Sequence, residues 1–142
     1  MIEAQSLTGT TGVEGFIHVA SPVGGILDLE LALDIGRRAG INALKASAKT
    51  PSVKRFVNTS SSAAVSLPKF IDYDFPLDES MYNDEVIKQA RVEESSKRNF
   101  MIYAAMKSET EKAMWAWVEE NKPGFVMNSI VRVSGSYFIY AY

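Results

Sequence analysis

The sequence predicts an α/β fold: a parallel sheet with flanking helices. Short apolar runs alternate along the chain with longer segments of helical spacing, and that order implies parallel strands joined by right-handed crossovers. The apolar runs are continuous rather than strictly alternating, which suits strands covered on both faces. At 142 residues, 46% apolar and with both charge signs mixed, the chain has the size and composition of one globular domain.

Residues 1–11 are polar and read as a leader, with neither the cationic start nor the apolar core of a signal peptide. Phe16-Ile17-His18-Val19-Ala20, bounded by Gly15 and Ser21-Pro22, reads as the first strand. From Ile26 to Lys49, apolar residues recur at spacings of three and four, as on a helix face. Gly36 and Gly40 each cost about 1 kcal/mol against Ala there, so a kink or a break is expected between them. Thr50-Pro51-Ser52 ends this helix, and Val53–Thr59 reads as the second strand. After a small, polar stretch and a loop with two prolines, Asn83–Ser96 has helical character, with Asn83 or Asp84 as N-cap.

The longest clear helix is Phe100–Asn121, rich in Ala, Met, Lys and Glu, uninterrupted by Gly or Pro, stopped before Pro123, and with Asn99 as its expected cap. Phe125–Val131 reads as a third strand, and 136–142 is an aromatic tail given no element.

Composition excludes several function classes. The chain has no Cys and one His, which removes disulfides and thiolate sites and argues against structural zinc. A net charge of -2 gives no electrostatic reason to expect a nucleic acid or an anionic membrane as partner. No apolar run approaches the ~20 residues that span a bilayer, so a soluble, cytoplasmic protein is expected.

One constellation carries chemistry. Tyr103 and Lys107 are four residues apart on the long helix and so share a face. A free phenol titrates near 10 and is a poor proton carrier at neutral pH. A cation at ~4 Å and an effective dielectric of ~20 contributes roughly 4 kcal/mol, enough to bring a phenol toward neutrality. Thr59-Ser60-Ser61-Ser62 lies at a strand end, where parallel sheets bind ligands. A hydroxyl such as that of Ser61 suits a carbonyl oxygen gaining charge.

Each feature also has a plain reading. Tyr-x-x-x-Lys is short enough to recur by chance, and serines after a strand usually satisfy turn backbone. His18 reads as a packed core histidine, Trp115 and Trp117 as packing residues, and Glu109, Glu111, Glu119 and Glu120 as a solvated face, with Glu109 a partner for Lys112. Gly9-Thr10-Thr11-Gly12 has neither the preceding strand nor the following helix of a pyrophosphate-binding turn.

Several segments together resemble extended short-chain dehydrogenases/reductases of the NAD-dependent epimerase/dehydratase superfamily, and within them the fungal aldehyde/ketone reductases similar to dihydroflavonol reductase. They are Gly12–Val23, Asn42–Ala46, Pro51–Val57, Thr59-Ser60-Ser61, the Tyr103–Lys107 motif and Glu111–Phe125. The resemblance covers most of 12–131. It implies a partial Rossmann-type sheet in 12–135, with the family's first βαβ unit missing and 136–142 a divergent tail, so that the chain corresponds to a reductase truncated at both ends.

It also implies reduction of an aldehyde or ketone with NADP(H), or NAD(H), on a small-molecule carbonyl substrate. Tyr103 resembles the catalytic acid/base and Lys107 the residue that lowers its pKa and holds the nicotinamide ribose. Ser61 resembles the carbonyl-binding serine, with Ser60 or Ser62 as register alternatives. Ala20, Ser21 and Pro22, with Tyr103 and Lys107, would line the cofactor. The alternative is a catalytically incompetent remnant that acts as an interaction module. In either case the first strand is expected to be an open sheet edge, prone to self-association.

Overall fold

A computed structural model describes residues 12–22, 26–66, 80–133 and 136–141. Its elements in order are β1 (Gly15–His18), α1 (Leu29–Ala48), β2 (Arg55–Thr59), α2 (Ser62–Val65), α3 (Glu85–Val92), α4 (Arg98–Asn121), β3 (Val126–Val133) and β4 (Ser136–Ala141). The sheet order is β1-β2-β3-β4, with β1, β2 and β3 parallel as expected and β4 antiparallel to β3. β4 falls in the stretch that the sequence left without an element. The 1–11 leader, the Gly-containing turn up to Thr11 and the proline loop lie largely or wholly outside the described residues.

Register places the side chains in rows. Phe16, Phe56 and Met127 are level and share one face. Phe56 stacks on Phe16 and on Phe125, with ring centroids 5.2 and 5.7 Å apart. Leu44 of α1 and Met114 of α4 close over this row, so both long helices lie on the same face of the sheet. Trp115 and Trp117 pack against the same cluster, as expected. A second cluster joins α1, α3 and α4 through Leu33, Val86, Ala90, Ile102 and Met106.

The opposite row, Ile17, Val57 and Asn128, is less covered, and Ile17 is 66% exposed. Cover on both faces, expected from the unbroken apolar runs, is thus not met at β1 among the described residues.

α1 begins where the Asp28 side chain accepts from Leu31 N at 2.9 Å and runs unbroken for 20 residues through Gly36 and Gly40. The expected kink is absent because both glycines are contact points. A Cβ at Gly36 would lie 2.7 Å from Met106 Cγ, and one at Gly40 2.7 Å from Met114 Sδ. The two helix backbones approach closely there, and the packing outweighs the propensity cost of the glycines.

Two expected caps are not used. Asp84 precedes α3 but makes no capping hydrogen bond, and its carboxylate pairs with Lys112 instead. Lys97 stands at the N-cap of α4, so Asn99 lies inside that helix.

Candidate active site

α4 presents Tyr103, Lys107, Glu111 and Met114 on one face at spacings of four, four and three. Met114 anchors that face in the core under the sheet. The polar residues before it therefore reach the carboxyl ends of β1 and β2, where ligands bind in parallel α/β sheets.

Lys107 is only 8% exposed. Its ammonium donates to the carbonyl oxygen of Thr59, the last residue of β2, at 2.6 Å. Burial pushes its pKa below the usual lysine range, and the Glu111 carboxylate one turn further along α4 works in the opposite direction. One of its three donors is spent on Thr59, which leaves donors for a ligand.

The serines that follow Thr59 separate into distinct roles. Ser60 is buried; its amide donates to Ile130 O of β3 at 2.9 Å and its hydroxyl donates to the Glu111 carboxylate. Ser61 is half-buried and caps α2, its hydroxyl oxygen accepting from Ala63 N at 3.3 Å. Ser62 is the first residue of α2.

Tyr103 is half-buried and lines a small pocket with Pro22, Ile26, Ala32, Ile102 and Met106. Its ring centroid is 6.4 Å from that of Phe100. Pro22 thus brings the chain just past β1 against the Tyr103 face of α4, with Ser21 half-buried and Ala20 exposed before it. No hydrogen bond joins Ser61, Tyr103 and Lys107 directly to one another among the described residues. They are brought to one region by Thr59 and Pro22.

His18, level with Asn58 and Ser129, ends β1 on the helix-covered face. Its ring lies 6.3 Å from that of Phe56, and burial, with the Lys107 charge second, holds its imidazole below the usual histidine range. Asn58 and Ser129 are buried beside it, the amide of Asn58 donating to Ser129 Oγ at 3.2 Å.

Glu111 corrects the sequence reading. Its charge type places it on a solvated face with Glu109, Glu119 and Glu120, yet it is 6% exposed. Its spacing of four from Lys107, on the Tyr103 face, was the signal that could have found it. Glu119 and Glu120 are exposed, and Glu109 pairs with Lys112 at 3.3 Å and with Arg37 at 2.6 Å.

Lys107 keeps donors beyond the one on Thr59 O, and the pocket beside Tyr103 is too small in this structure to hold a nicotinamide ring. A pyrophosphate cradle is not among the described residues. Gly12, at φ 86°, leads into β1 rather than into a helix N-terminus. Among the described residues no three His, Cys, Asp or Glu side chains are grouped to hold a metal, and no helix is long and apolar enough to cross a membrane.

No protein-family model matches the chain. Individual proteins do. The chain is 38% identical over 122 residues to aldehyde reductase 2 of Sporidiobolus salmonicolor, an alignment that takes in 84% of this chain and 36% of that protein. It is 36% identical over 121 residues to the NAD-dependent epimerase/dehydratase terH of Aspergillus terreus, covering 84% of this chain and 35% of the other. Among solved structures, yeast methylglyoxal/isovaleraldehyde reductase Gre2, complexed with NADPH, superposes with a TM-score of 0.64 at 28% identity over 82% of this chain and 35% of that one. The chain thus spans about a third of the length of the relatives it matches.

Proposed function

We propose that this chain, which belongs to the extended short-chain dehydrogenase/reductase family, carries the proton-transfer and nicotinamide-binding part of an aldehyde or ketone reductase site. The observation that carries the proposal is the grip of buried Lys107 on Thr59 O. It fixes the helix bearing Tyr103 against the strand end that leads to Ser61.

When bound, the nicotinamide supplies a hydride to the substrate carbonyl carbon. The Tyr103 hydroxyl gives its proton to the carbonyl oxygen as that oxygen gains charge. The Ser61 hydroxyl hydrogen-bonds the same oxygen and stabilises the charge. Ser61 is preferred over Ser60 because the Ser60 hydroxyl is already committed to Glu111. The ammonium of Lys107 holds the ribose hydroxyls with its remaining donors and places a positive charge one turn from Tyr103. Ala20, Ser21 and Pro22 line the cofactor, with Pro22 also at the pocket beside Tyr103.

NADPH is the cofactor proposed first, in line with the Gre2 complex, with NADH as the alternative. The substrate is a small-molecule carbonyl compound, and the setting is cytoplasmic. Residues 12–135 act as one dinucleotide-binding unit, which pairs with a second copy through the outer edge of β1.

The test is calorimetric binding of NADPH together with NADPH oxidation on a panel of aldehydes and ketones. Turnover that is lost in Tyr103→Phe while binding is kept is the expected result. A chain that binds neither NADPH nor NADH overturns the reading. A second reading, a catalytically incompetent remnant that serves as an interaction module, is favoured by one observation: Gly12 is followed by a strand and not by a phosphate-binding helix. Turnover of any carbonyl compound rejects it.

A further inference from the structure

Glu111 has no part in the proton transfer described above, yet it is one of the few buried charges among the described residues. An ionised carboxylate taken out of water is costly unless it is paired and hydrogen-bonded. Here it has a hydrogen-bond donor and a cation nearby. The Ser60 hydroxyl donates to it, and the Lys107 ammonium lies one helical turn away on the same face of α4. Those partners are adjacent in another sense: Lys107 holds the carbonyl of Thr59, and Glu111 holds the side chain of Ser60, the very next residue. Two successive turns of α4 therefore grip two successive residues at the end of β2. Ser60 is fixed from the other side by its amide on Ile130 O of β3. Ser61, the residue after the grip, has no such fastening to α4; its direction is set by Ser60 before it and by α2 after it.

We propose that Glu111 is a positioning residue of this site: through Ser60 it sets the strand end that presents Ser61, and its carboxylate, one helical turn along α4, favours the charge on Lys107. The proposal rests on the reading of Ser61, Tyr103 and Lys107 as the site. The two roles have separate physical handles. Glu111→Gln removes the charge but keeps the length and an oxygen that accepts from Ser60. Ser60→Ala removes the tether and keeps the charge. The titratable and charged groups facing Lys107 are Glu111 and Tyr103 on its own helix and His18 on β1. Asn58 and Ser129, on β2 and β3, are neutral.

The experiment follows the Lys107 side chain by NMR titration of the full-length chain labelled at lysine Cε, with NADPH as the binding probe and NADPH oxidation as the rate. In Glu111→Gln the Lys107 midpoint is expected to fall by roughly one pH unit, a tenfold loss of proton affinity, and the melting temperature to fall by a few degrees with it. In Ser60→Ala the midpoint is expected to stay while kcat falls about tenfold at unchanged KM. Glu111→Asp, which keeps the charge on a shorter stem, is the fallback if Glu111→Gln does not fold, and it should behave as Ser60→Ala does. A Lys107 midpoint that does not move in Glu111→Gln, or one that moves as far in Glu111→Asp, overturns the proposal. Tyr103→Phe separates the two levels. If it leaves turnover intact, the reading of the site fails, and the Lys107 midpoint still decides the role of Glu111.

Discussion

Lys107 of α4 and Thr59 of β2 are joined by a 2.6 Å hydrogen bond from a buried ammonium to a strand-end carbonyl. The bond ties the helix that carries the candidate acid/base to the strand that leads to the candidate carbonyl-binding serine. Lys107→Met keeps the packing of the stem but leaves Thr59 O without this donor and Glu111 without its counter-charge. A loss of about 2 kcal/mol of stability is expected, measured by urea denaturation. Adding Glu111→Gln removes the uncompensated charge, so the double variant should be more stable than the sum of the two single losses. Strict additivity would show that Lys107 and Glu111 are not energetically coupled.

The helix crossing gives a prediction of opposite sign to helix propensity. Gly→Ala within an exposed helix stabilises by roughly 1 kcal/mol. At Gly40 the added methyl would lie 2.7 Å from Met114 Sδ and 2.9 Å from its Cγ, and overpacking of this kind costs about 1–3 kcal/mol. Gly40→Ala is therefore expected to lower the urea midpoint. Met114→Ala in the same chain should relieve the clash and make Gly40→Ala neutral or favourable.

These two contacts also mark what could be read from the residues alone. Strands β1, β2 and β3 and the long helices were legible because apolar runs, helical spacing and the stop at Pro123 are local signals. Gly36 and Gly40 looked like helix breakers because their reason, Met106 and Met114, lies on another helix far along the chain. Glu111 looked solvated because charge type predicts exposure on average, whereas its burial depends on Ser60 and Lys107. Strand β4 was signalled by Ser134-Gly135, a two-residue turn signal between two apolar runs, but its aromatic run ends the given sequence without clear alternation, and its pairing with β3 is what makes it a strand.

His18 gives a pH prediction. Its imidazole titrates below the ordinary value near 6.5 in the folded chain, chiefly because it is buried. Below that ordinary value the unfolded chain binds a proton that the folded chain does not. Stability is therefore full above about pH 6.5 and is lost as pH falls toward the folded-state value. The melting temperature should decline between about pH 7.5 and 5.5. His18→Gln, which cannot titrate, should flatten that decline, and an unchanged slope in the variant would assign the pH dependence to other groups.

The first row of the sheet makes the last prediction. β1 is the end strand of the described sheet and pairs only with β2. Among the described residues no further strand pairs with its outer edge, and Ile17 beside it is 66% exposed. Charged residues on an edge strand oppose edge-to-edge pairing, so Ile17→Lys should shift a concentration-dependent dimer to monomer in sedimentation equilibrium. The substitution touches neither the Phe16–Phe56 stack nor the Lys107 grip, both of which lie on the other face. The melting temperature measured at low protein concentration should therefore hold. Monomeric wild-type chain at all concentrations would mean that the edge is covered or too short to pair.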